Sequence, residues 1–154
     1  MARAFFAASC AALILLFAPA AIAGEFGTKD EAVAMVKRVQ EKFKKDGAEA
    51  TFKAVSDKSV PEFHDRDLYP FIYEMNGTNV AHGARPALIG KNLIELKDQD
   101  GKYLIREMVK IAQGPGSGWI DYKWPNPLNN KIEDKSSYVE KMDEYFVGVG
   151  IYKP

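Results

Sequence analysis

Asn76-Gly77 constrains the folding of this chain more than any other pair of residues. Both tolerate positive φ, so the dipeptide closes a tight turn between two adjacent antiparallel strands. Leu68, Tyr69, Phe71, Ile72 and Tyr73 before the turn have the aromatic and aliphatic make-up of a strand. Pro70 lacks a backbone donor, which puts it at a sheet edge or at the strand's beginning. Val80-Ala81-His82 forms the return strand. Any fold built on this hairpin contains antiparallel sheet.

Elements on either side extend the pattern. Thr28 and Glu31 have capping-box spacing, and Ala32, Met35, Val36, Val39 and Phe43 then recur at helical intervals. Asp46-Gly47 marks an end or a break, and a shorter helix is expected over 48–55. Asp98-Gln99-Asp100-Gly101 is a turn leading into a helix over about 102–113, lined by Tyr103, Leu104, Met108 and Ile111. Strands follow at 119–124, 136–142 and 146–152, separated by Pro125-Asn126-Pro127 and by Asp143-Glu144. Sequential strands joined by turns, with helices placed before and between them, define an α+β class.

The N-terminus reads as an export signal. Arg3 is the only charge before Glu25, an apolar stretch of about 15 residues follows, and Ala21-Ile22-Ala23 offers a cleavage site. The stretch is shorter than the roughly 20 residues a spanning helix needs. Residues 1–23 are therefore expected to be removed, leaving a single domain over 24–154 in the periplasm or medium, not inserted in the membrane. Cys10, the only cysteine, leaves with the signal. The mature chain then has no disulfide, no cysteine metal site and no cysteine nucleophile. Losing Arg3 from 21 basic residues, against 21 acidic ones, leaves a net charge of about −1. No basic excess points to nucleic acid.

The motif order is similar to a known family. Tyr69-Pro70-Phe71-Ile72-Tyr73, Asn76-Gly77, Ala81-His82, Gly90-Lys91-Asn92, Asp98 to Gly101, Tyr122-Lys123-Trp124-Pro125, Lys135-Ser136-Ser137-Tyr138-Val139 and Gly148-Val149-Gly150-Ile151-Tyr152 resemble the single Cache domain, type 2. The resemblance implies a long N-terminal helix packed on a PAS-like antiparallel sheet of five or six strands. It also implies an extracytoplasmic sensor of small molecules, with organic acids such as acetate, propionate, pyruvate or lactate as ligands. This chain resembles a free-standing periplasmic version.

A short carboxylate needs a fixed cation or donor and a compact wall that excludes water. The candidates are His82, Arg85 and Lys135 for the anion, with Tyr69, Tyr73, Tyr122, Trp124 and Tyr138 as walls. Each also has a plainer reading. Exposed lysine is the default, so Lys135 is equally a solvated loop residue. Tyr122 and Trp124 share one strand face, which either lines a pocket or packs beneath a helix. Trp119 is expected in the core and His64 in an exposed connector.

No enzyme activity, cofactor or metal is expected. His64 and His82 lie 18 positions apart without metal-ligand spacing, and Asp98 to Gly101 lacks the third acid and closing glutamate of a calcium loop. The expected function is periplasmic binding of a small organic acid. The competing expectation is a protein-interaction module that docks on a membrane sensor or transporter and takes no small ligand.

Overall fold

The computed structural model describes residues 25–153. The expected export signal, its expected cleavage site and Cys10 lie outside the described residues. Two helices and five strands form the fold. They are α1 (Lys29–Ser56), β1 (Pro70–Glu74), β2 (Asn79–His82), α2 (Leu104–Gln113), β3 (Ser117–Pro125), β4 (Ile132–Met142) and β5 (Tyr145–Lys153).

The capping box opens α1 as the spacing predicts. The Glu31 amide donates to Thr28 Oγ1 at 3.2 Å, and the Thr28 amide donates to the Glu31 carboxylate at 2.7 Å. The expected break falls on Gly47 alone, with φ 82° and ψ 177°, a conformation open to glycine. Helix resumes at once and runs to Ser56, so the two expected helices meet as one kinked element. Thr51 Oγ1 donates to the Gly47 carbonyl at 2.8 Å, just after the kink.

The sheet order is β2-β1-β5-β4-β3, and every pairing is antiparallel. Pro70 begins β1, which lies inside the sheet, so the proline marks a strand start. β3 and β4 pair from Ser117↔Glu140 out to Pro125↔Ile132. This hairpin is longer than the apolar pattern suggested, because the first part of β4 carries the charged run Glu133, Asp134 and Lys135. Asn126 organises its turn, accepting from the Leu128 amide at 3.0 Å and donating to Glu133 at 2.7 Å.

Alternation along the strands gives the sheet two interiors. Ile72, Met142, Val147 and Val149 pack against Met35, Val36 and Val39 of α1. Phe71, Tyr73, Tyr122, Val139 and Phe146 face Leu104, Ile105 and Met108 of α2. The chain reaches β3 from β2 by crossing this second face with α2, and the crossing roofs the site described next.

A candidate ligand-binding chamber under the second helix

Lys135 lies in the middle strands, paired with Tyr122 of β3 and Tyr152 of β5. Its side chain points to the α2 face and is 1% exposed. Space for it comes from Gly150, where a methyl group would fall 2.5 Å from Lys135 Cε and 2.2 Å from Ser137 Oγ. The ammonium donates to Tyr69 Oη at 2.7 Å and to Tyr152 Oη at 3.4 Å. It also lies 3.9 Å from the Tyr69 ring centroid. Among the described residues it has no carboxylate within ion-pair distance. Burial holds its pKa well below the usual lysine range, and the Asp67 carboxylate only partly opposes this. Asp67 is itself fully buried and accepts from the amides of Gly27 at 2.6 Å and Tyr152 at 3.0 Å.

His82 ends β2 and is 2% exposed. Its Nδ1 lies 3.2 Å and 3.0 Å from the amide nitrogens of Ala84 and Arg85. Both amides are donors, so Nδ1 accepts and the ring proton sits on Nε2. Burial, with the charges of Lys135 and Arg85, pushes the His82 pKa down to about 3. His82 is therefore a neutral Nε2–H donor across the physiological range.

Tyr69, Tyr73, His82, Tyr122, Trp124 and Lys135 line one cavity with Phe71 and with Leu104, Ile105 and Met108. Its free volume is about 10 Å³, the space of a single water molecule. The walls are ordered by their own contacts. Tyr73 stacks on Phe146 with centroids 5.5 Å apart, and Tyr122 Oη pairs with Ser137 Oγ at 2.9 Å. Tyr69 Oη lies 2.9 Å from Tyr152 Oη, which donates to the Pro125 carbonyl at 2.9 Å. Burial raises the pKa of Tyr69, Tyr73, Tyr122 and Tyr152 above the ordinary phenol value, so all four remain neutral.

Six of the eight expected residues thus converge. Tyr138 does not: it alternates to the α1 face, where its ring lies 5.5 Å from Trp119 and its hydroxyl donates to Glu140. Strand parity decides this, because Lys135, Ser137 and Val139 take the chamber side of β4. Arg85 is half-buried and lines no part of the chamber, although its charge reaches Lys135 and His82. Lys135 is a strand residue and not a solvated loop lysine. His64 is half-buried and tied down, its ring nitrogens 3.0 Å from the Val60 carbonyl and 3.2 Å from that of Gly83. Trp119 is half-buried on the α1 face beneath the Lys29 ammonium. Sequence reasoning missed Tyr152 and Asp67. The closing Gly148-x-Gly150-x-Tyr152 alternation was the available signal for Tyr152; Asp67 sits in a charged run that gave none.

The architecture is a helix-roofed antiparallel sheet of the α+β class enclosing a small, largely aromatic chamber. The chain belongs to the Cache domain family, whose dCache_2 model matches residues 28–153. It is 35% identical over 91 residues to the sensor histidine kinase MctS of Rhizobium johnstonii, covering 58% of this chain and 20% of that protein. It is 31% identical over 91 residues to the methyl-accepting chemotaxis protein McpP of Pseudomonas putida, covering 58% and 17%. The chain thus spans a fifth or less of the length of these curated relatives. A methyl-accepting chemotaxis protein structure from Vibrio parahaemolyticus superposes with a TM-score of 0.69 at 28% identity, covering 80% of this chain and 87% of that one. A Cache chemosensory domain whose structure describes carboxylic acid recognition superposes at 0.64 and 22% identity, over 81% and 88%. That likeness is one of fold. Among the described residues, no helix is long and apolar enough to cross a membrane, and no three His, Cys, Asp or Glu residues cluster to hold a metal.

Proposed function

We propose that the domain is a periplasmic receptor for a short-chain monocarboxylate held against Lys135. One observation carries this reading. The buried Lys135 amine faces a chamber with phenol partners and has no carboxylate within ion-pair distance among the described residues. Such a group is costly to bury unpaired, and a carboxylate supplies the missing partner. The His82 Nε2–H gives a neutral donor to the second oxygen, and Trp124, Met108 and Leu104 supply an apolar wall for a short carbon chain. The fold shared with a carboxylic-acid-recognising Cache domain supports the same ligand class.

A free volume of one water cannot hold an acid of four or more heavy atoms, so binding displaces wall side chains. The α2 residues Leu104, Ile105 and Met108 are the ones that move with a single element. An arriving carboxylate favours the protonated form of Lys135 and draws its pKa upward. Binding therefore takes up a proton and weakens as pH rises above the depressed pKa of the free protein. The test is a thermal-shift and calorimetric screen of the mature protein against formate through butyrate, pyruvate and lactate. A rise in Tm that disappears in Lys135→Met is expected. No shift with any acid at millimolar concentration sinks the reading.

The small free volume favours one alternative: a domain that docks on a membrane sensor or transporter with its interior filled by its own side chains. That domain ignores all the acids and co-purifies with a periplasmic or membrane partner.

A further inference from the structure

A second hollow, of about 190 Å³, lies on the other side of Tyr69. Tyr69 lines both hollows, so the two adjoin at this residue. Lys58, Arg66, Leu68, Ala84 and Pro127 form much of the outer wall, and no acidic side chain lines it. Lys58 is exposed and makes no ion pair among the described residues. Arg66 is braced by Glu31, Asp65 and the Phe26 carbonyl. A mobile cation beside Leu68, Ala84 and Pro127 matches a short aliphatic carboxylate, whose charged end and apolar end each find a surface.

The backbone at Gly83 packs closely on Tyr69 where the two hollows adjoin. A methyl group on Gly83 would fall 2.9 Å from Tyr69 Cβ and 3.0 Å from His64 Nε2. Tyr69 is thus shared by the outer groove and by the surroundings of the Lys135 ammonium. The Tyr69 ring covers that ammonium at 3.9 Å.

We propose that the outer groove is a second, weaker carboxylate site, from which the anion reaches the Lys135 chamber when the Tyr69 side chain turns aside. The staging role rests on the chamber reading above; the outer site itself does not. Electrostatic capture at such a site raises the rate of association more than the final affinity.

Backbone-amide NMR titration with sodium propionate, at ionic strength held constant with chloride, tests both parts. Millimolar-range shifts are expected at the Leu68 and Ala84 amides. They persist in Lys135→Met, which removes the chamber site, and vanish in Lys58→Glu. In stopped-flow mixing, Lys58→Glu slows filling of the chamber at least about threefold and leaves the dissociation rate unchanged. Absent shifts at those amides, or shifts that survive in Lys58→Glu, overturn the outer site. Outer shifts with an unchanged association rate in Lys58→Glu overturn the staging role. Outer shifts in a protein whose chamber never responds overturn the chamber reading and the staging role, and leave the outer site standing.

Discussion

Along β5, Val147 and Val149 point beneath α1, whereas Phe146, Gly148, Gly150 and Tyr152 point to the α2 side. The same strands thus build two unlike interiors. Under α1 the contacts are almost wholly apolar and need no partner beyond close packing. Under α2 the sheet buries an amine, an imidazole and four phenols, held by a chain of hydrogen bonds. Polar burial of that kind is stabilising only while every group is satisfied, and Lys135 lacks a charge partner among the described residues. The α1 face supplies the stability that lets the α2 face keep a strained site.

Matched truncations give the largest test of this contrast. Met35 and Met108 are each 1% exposed, one on either face. Met35→Ala is expected to cost about 2–5 kcal/mol in urea unfolding, because close-packed neighbours leave a cavity. Met108→Ala falls at the low end of that range, since it borders a hollow already present, and it shifts preference toward longer acids. Equal costs and unchanged ligand preference break the comparison.

Lys135→Met has the opposite sign. Removing a buried amine that has no carboxylate within ion-pair distance raises the unfolding free energy of the ligand-free protein by about 1–4 kcal/mol and erases the acid-dependent rise in Tm. A destabilised variant means that the amine is compensated by its phenol partners. Gly150→Ala forces a methyl group against Lys135 and Ser137, at a cost of about 1–3 kcal/mol by chemical denaturation and with loss of acid binding.

The pH dependence of the chamber face gives a further test. The His82 pKa is about 3 in the folded protein against an ordinary value of 6.5. The unfolded chain therefore binds a proton that the folded one refuses, and stability falls as pH drops from about 6.5 toward 3. His82→Asn keeps an acceptor for the two amides and is expected to lose that part of the decline, read from urea midpoints at pH 7 and pH 4. An identical decline in both proteins removes His82 from the account.

Local signals in the sequence found the frame. The Thr28–Glu31 spacing, the Asn76-Gly77 turn and the apolar period of α2 act within a few residues of themselves, and each appears where its chemistry puts it. The site was harder to read, because its placement depends on distant residues. Lys135 is buried because Gly150, across the β4–β5 pairing, leaves room for it, and nothing near Lys135 announces this. Tyr138 was misplaced by strand parity, which flips with each residue and requires the register to be known. The β3–β4 hairpin was read too short because Glu133, Asp134 and Lys135 open β4 with a charged run that has no apolar alternation.

Asp67 joins two distant parts of the chain through one carboxylate, with Gly27 on one oxygen and Tyr152 on the other. Gly27 immediately precedes the cap of α1, and Tyr152 belongs to the strand beside the chamber. The carboxylate acts as a rigid strut with almost no slack. Whatever displaces the last strand sideways must drag the first helical turn along or snap two short bonds, so these ends of the domain share one mechanical fate.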